Sequence, residues 1–304
     1  MENLMWEPIV EFSRPIPVDD LEVEVTKGTV FSLAQDRPSL YREVLNYWDS
    51  AQVRMMQENA KTLVQALEER DESALRKMVS QIGSVGQKKR LSGATLEGKK
   101  LSLEISNTTY MDFIGTNERA IRDVNFRKRL MDAGLKDHSD PNAYFANALA
   151  ACTAIYGINP DGSIYVPIAL RSEKVMIYPN VHHVFGGLVD VDEKDRVSFG
   201  TSIIKELTEE VGLSPDQISR PYLMGIVRNA PSRHPEAILA VAISIGSEEL
   251  VNSWKTRAHD KFEQKRISIH ALDEIPGFLE KHGRDMVPSG CAALSYLSKS
   301  FLVL

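Results

Sequence analysis

Three carboxylates, Glu206, Glu209 and Glu210, stand in the run from Lys205 to Leu213, and a glycine pair, Gly186 and Gly187, precedes them. On a helix turning 100° per residue the three acids fall within an arc of about 100°, and Ile203, Ile204, Leu207 and Val211 occupy a separate apolar arc. Such a helix buries one face and presents acid on another. Like charges at this spacing repel by ~0.2–0.5 kcal/mol per pair, whereas a divalent cation would turn the same oxygens into a set of hard ligands. Gly212 suits the left-handed position that stops a helix.

The elements that must position these acids follow from the pattern on either side. Ser163 to Leu170 and Cys152 to Gly157 flank Asn159-Pro160-Asp161-Gly162, a hairpin signal. Tyr222 to Val227, Ala237 to Ile245 and Lys265 to His270 read as strands, and 273–281 and 289–301 as amphipathic helices covering a sheet. His182 and His183 are adjacent on an extended approach to the glycines, so they face opposite ways and do not form a chelating pair. Upstream, Leu21 to Val25 alternates as a strand, a turn at Gly28 and an extended Val30 to Leu33 complete a small β element, and apolar residues recur at helical spacing from Pro38 to about Arg70. A second helix is expected over 73–82. A hairpin follows, from Lys88 to Ala94 and from Lys100 to Ile105, turning at Glu97-Gly98. Thr116 or Asn117 is placed to cap a helix over 118–133. A polar cluster, Asp137 to Asn142, marks the boundary between an amino-terminal α+β domain, 1–140, and an α/β domain, 141–304.

The acidic helix and the glycines resemble the Nudix box, G-x5-E-x7-R-E-U-x-E-E-x-G-U, where U is a bulky apolar residue. Gly187 to Glu193 fits the first part, and Lys205 to Leu213 the last. Lys205 stands where the family has Arg, and eleven residues rather than seven separate it from Glu193. A second resemblance is to the eukaryotic Nudix hydrolases that split UDP-glucose and UDP-galactose. It rests on Arg90 to Leu96, on the stretch from Thr108 to Asn117 with its T-x-Y-x-D-F-x-G-T-N wording, and on Leu223 to Asn229.

The resemblance implies an α/β/α sandwich with a mixed sheet, and hydrolysis of the pyrophosphate bond of a nucleoside diphosphate derivative. A UDP-sugar, giving UMP and sugar 1-phosphate, is its first substrate. ADP-ribose or another nucleotide diphosphate is the alternative, and an inactive nucleotide-binding module of the same fold is the competing class. It implies Mg²⁺, with Mn²⁺ as a substitute, held by Glu206, Glu209 and Glu210, by the backbone carbonyl of Gly187, and by a later carboxylate for which Glu236 is the candidate. The same three helix acids would orient the attacking water and are the expected catalytic residues. Arg171, Arg228 and Asn229 are expected on the substrate phosphates, and Tyr110 and Asn117 in substrate contact from the amino-terminal side.

Composition bounds these expectations. The chain has 304 residues, 43% of them apolar, enough for a large buried core. A net charge of −6 argues against a general electrostatic hold on extended nucleic acid or an anionic membrane. Cys152 and Cys291 form no metal or disulfide framework, and with no signal-like segment or apolar run of membrane length the expectation is a cytoplasmic protein acting on a small nucleotide. Homo-oligomerisation is left open by the residues alone.

Overall fold

The computed structural model describes residues 5–51, 87–189 and 197–301. The helix expected over 73–82, the later part of the helical pattern from Pro38, and Glu193 lie outside these residues.

In chain order, β1 (Trp6–Pro17) and β2 (Glu22–Lys27) lead to helix α1 over 38–51, and β3 (Gln87–Glu97) and β4 (Lys100–Thr109) form the expected hairpin. Short helical turns over 110–122 precede α2 (Val124–His138). Then come β5 (Ala150–Ile158), β6 (Ile164–Arg171), β7 (His182–His183), β8 (Phe185–Leu188) and α3 (Phe199–Val211). The chain continues with β9 (Tyr222–Asn229), β10 (Pro235–Ile243), α4 (Ser247–Arg257), β11 (Gln264–Ala271), α5 (Ile275–His282) and α6 (Pro288–Phe301).

Among the described residues eight strands make one mixed sheet in the order β1-β9-β10-β5-β6-β11, with β7 on β6 and β8 on β5, and in it only the β10–β5 pair runs parallel. Three more, β2-β4-β3, make a small sheet. The expected α/β class with a mixed sheet is what the structure has. One strand of the first 140 residues, β1, lies in the large sheet, where it pairs with β9.

Alternation along the strands builds the layers. On β5, Ala151 and Ile155 enter the same core as Ile203, Leu207 and Val211 of α3, and Leu101 and Leu103 of the small sheet. Cys152 and Ala154, one residue out of phase, enter the opposite core with Ala292, Leu294 and Leu297 of α6. Each fully buried aliphatic side chain contributes roughly 1.5–3 kcal/mol, so the apolar arc of α3 suffices to press the acidic arc against the sheet end.

Two local expectations are revised. Val30 to Leu33 is not extended: the Ser32 side chain accepts from the N–H of Gln35 and starts a turn of helix over Leu33–Asp36. The helix expected from 118 is two. Thr109 caps the first through the N–H of Asp112, and Asp123 caps α2 through the N–H of Phe126. Between them, 114–118 form a π-turn that buries Thr116, Asn117 and Glu118. These polar residues sit inside because partners there satisfy them, a tertiary effect that a capping pattern does not encode. Among the described residues no helix is long and apolar enough to cross a membrane.

Candidate active site

The strand ends that carry the expected residues meet at one end of the large sheet. Register places Glu236 beside Ala150, Ala150 beside Leu188, and Arg171 beside Gln264. The acidic helix arrives at the same place because α3 packs on β8. It is capped by Ser198, whose side chain accepts from the N–H of Thr201, and it ends at Gly212 with φ 75°.

The glycine pair is required by contact. A Cβ at Gly187 would collide with the Glu206 carboxylate, and one at Gly186 with the Ala151 carbonyl. We expect Gly187→Ala to displace Glu206 and lower turnover about 10–100-fold, the range of misplacing a reacting group. The melting temperature should stay within a few degrees of wild type. Steady-state kinetics and a melting curve of that variant check both.

Glu210 is the most buried of the three acids. It is 3% exposed, and its Oε2 has no hydrogen-bond partner. Burial holds its carboxyl well above the usual range, with the charges of Glu263 and Glu206 adding; Arg171 and the N–H of Gly186 act in the opposite sense. Glu206 and Glu209 are half-buried and Lys205 is exposed. Arg171, half-buried, donates from Nε to the Ile177 carbonyl at 3.2 Å, and its positive charge acts on Glu210.

Glu263 was not expected here. Its turn, Lys261–Glu263, docks on α3 through the N–H of Asp260 on the Glu209 carbonyl at 2.9 Å. Its own carbonyl accepts from the N–H of Ser172, next to Arg171, at 2.8 Å. No spacing relative to the acidic helix could have marked it, because β11 delivers it from fifty residues downstream.

Glu236 has other company. Its Oε1 accepts from Asn229 Nδ2 at 2.5 Å and lies 3.5 Å from His234 Nδ1. Burial works to raise its carboxyl, but the hydrogen bond and charge of His234 act against it, and the net direction is down. Burial, with Arg171 adding, holds His183 down to about 3, so it is neutral at physiological pH. Cys152, behind Glu236, is a buried thiol pushed up by burial, and Cys291 is likewise free.

Three residues expected on the substrate have internal partners. Asn117 is fully buried; its Nδ2 donates to the Ser232 carbonyl at 2.8 Å, and its Oδ1 accepts from the N–H of Asn147. Arg228, 8% exposed, donates from Nη1 to Asn147 Oδ1 and the Arg233 carbonyl. Burial, with Arg233 adding, pushes it down to about 10. Asn229 holds Glu236. Tyr110 is half-buried: burial, with the charges of Glu263 and Glu118 adding, pushes its phenol up to about 12. Its ring meets Trp48 edge-on at 6.3 Å.

The donor set suits a hard divalent cation in kind: carboxylate oxygens, one of them buried without a partner, beside glycines that leave room. Among the described residues no group of three or more His, Cys, Asp or Glu side chains is gathered tightly enough to hold a metal ion as it stands. Carboxylates of one sign repel, and a cation would have to draw Glu206 and Glu210 together.

Comparison with known proteins finds the same likeness. The chain is 25% identical over 227 residues to the human uridine diphosphate glucose pyrophosphatase NUDT22, covering 67% of this chain and 72% of that protein. Against the protein of the same name from Bos taurus it is 28% identical over 199 residues, covering 59% and 66%. Among solved structures, a Nudix hydrolase from M. smegmatis, RenU, aligns over 51% of this chain and 86% of its own with 11% identity and a TM-score of 0.34. No family model matches. The resemblance to Nudix enzymes, read above from separate motifs, is thus met again in relatives aligned over most of the chain.

Proposed function

We propose that this protein is a metal-dependent Nudix-type pyrophosphohydrolase that cleaves the pyrophosphate bond of a nucleoside diphosphate derivative, with a UDP-sugar as substrate and UMP and sugar 1-phosphate as products. The observation that carries the reading is Glu210, a buried carboxylate with an unpartnered oxygen, flanked by Glu206 and Glu263 and set against Gly186 and Gly187. An unpaired buried charge is costly to a fold, and a bound cation offsets that cost. The substrate class is supported by the relatives, which are uridine diphosphate glucose pyrophosphatases, and by the sequence wording from Thr108 to Asn117.

In this reading Glu206, Glu209 and Glu210 hold Mg²⁺ or Mn²⁺ with the Gly187 carbonyl, and Glu263 is added to them. Bound metal would neutralise diphosphate oxygens and make water a stronger nucleophile. Arg171, whose positive charge acts on Glu210, meets the phosphates, and Tyr110 contacts the substrate. Glu236 and Asn229 move from the proposed metal and substrate sets to the support of His234, and Arg228 to the support of the 230–234 turn. The test is release of UMP and sugar 1-phosphate from a panel of UDP-sugars, ADP-ribose and dinucleotides, with Mg²⁺, with Mn²⁺ and with chelator. Cleavage that chelator abolishes and that is fastest on UDP-sugars is the expected result. A preference for ADP-ribose would replace the substrate, and nucleotide binding without cleavage of any of them would replace the reaction.

A further inference from the structure

Two loops border the site. Residues 172–181 join β6 to β7, and 230–234 join β9 to β10. Both carry backbone strain. Of the five non-glycine residues with positive φ among those described, Tyr178 (51°), Asn180 (57°) and Arg233 (59°) lie in them. A bulky residue such as Tyr in this region costs roughly 1–3 kcal/mol and keeps the conformation only where its surroundings over-determine it.

The surroundings that do so come from the amino-terminal half. Three side chains within eleven residues of chain, Asn117 to Arg127, donate to carbonyls of these loops. Asn117 Nδ2 reaches Ser232 at 2.8 Å, Arg127 Nη1 reaches Pro231 at 2.9 Å, and Arg122 Nη2 reaches Met176 at 2.7 Å. Arg122 is itself aimed by Glu118, 1% exposed, whose other oxygen accepts from Tyr47. Immediately after Met176, the Ile177 carbonyl accepts from Arg171 Nε. The 230–234 loop leads directly into His234 and Glu236.

We propose that Asn117, Arg122 and Arg127 are positioning residues: a clamp that holds both strained loops and, through the Ile177 carbonyl, aims the Arg171 guanidinium at the substrate phosphates. The clamp rests on the hydrolase reading only for its effect on kinetics. It gives the π-turn over 114–118 a purpose, because one extra residue in the helical turn brings Asn117 and Glu118 inward together while Arg122 and Arg127 stay within reach of the loops.

Met removes the donors of Arg127 and Arg122 while keeping a long apolar stem, and Lys restores a donor. Arg127→Met, Arg122→Met, the double Met variant and the two Lys variants are compared with wild type in the full chain. Amide exchange should rise in 173–181 and 230–234 in the Met variants and not in α3 or α6. KM should rise more than kcat falls, and kcat/KM of the double variant should drop about 10–100-fold, the range of a loop-driven misplacement. The rise in melting temperature on adding Mg²⁺ should match wild type, and each Lys variant should recover at least about half of the loss in kcat/KM. The clamp is overturned if exchange in both loops is unchanged in the double variant, if its kcat/KM stays within about twofold of wild type, or if Lys and Met behave alike. Should wild type cleave no substrate, the hydrolase reading falls, and the exchange comparison decides the clamp by itself.

Discussion

Glu210→Gln will lower hydrolysis by about 10²–10⁴-fold and at the same time raise the melting temperature of the metal-free protein. The activity loss follows because the substitution removes one charged oxygen donor from the proposed metal site, and such sites supply several kcal/mol of charge stabilisation at ~1.4 kcal/mol per tenfold in rate. The gain in stability follows from burial. Glu210 is 3% exposed with an unpartnered Oε2, and its carboxyl is held high by burial and by Glu263 and Glu206. A carboxyl with a raised folded value favours the fold below its unfolded value and opposes it as pH rises. The variant's advantage should therefore be absent below pH 4.5, the ordinary value, and grow above it. Relieving about 1–3 kcal/mol should shift the midpoint by roughly 2–4 °C per kcal/mol. Melting curves in chelator from pH 4 to 8, with kinetics in Mg²⁺, measure both. A Gln variant less stable than wild type at pH 7 in chelator would mean that Glu210 is a structural anion, paired within the fold.

The second large effect is a contrast between two acids. Glu263→Gln should lower activity about 10–100-fold and reduce the Mg²⁺-induced rise in melting temperature, with little change in the melting temperature without metal. Glu236→Ala should do the reverse. It strips Asn229 Nδ2 and His234 Nδ1 of their shared acceptor, and leaving a buried donor unpaired costs about 1–3 kcal/mol for each group. The metal-free midpoint should fall by several degrees, while the Mg²⁺-induced shift in the folded fraction persists. Measuring both variants by thermal melting across a Mg²⁺ titration separates the roles. Loss of the Mg²⁺ shift in Glu236→Ala and its retention in Glu263→Gln would return Glu236 to the metal.

The residues themselves determined what could be settled over short distances. Helical periodicity in 203–211 predicts a helix with one apolar and one acidic arc, because each residue's direction follows from 100° per step, and α3 has Ile203, Leu207 and Val211 of its apolar arc in the core, with Ile204 half-buried. Gly212 as its stop, the β3-β4 and β5-β6 hairpins, and the strands β9, β10 and β11 were legible for the same reason: turn chemistry and alternation are local. Tertiary structure decided which polar residues have partners. Arg228 and Asn229 look, in one dimension, like groups free to bind phosphate, and Asn117 like one free to contact substrate; in the fold their donors meet Asn147, Glu236 and Ser232, from 7 to 115 positions away. Glu263 lacks any motif and reaches the acidic helix only because β11 pairs with β6. Charge and periodicity propose ligands, but whether a side chain is free to be one depends on contacts between distant segments, and those exist only once the sheet has closed.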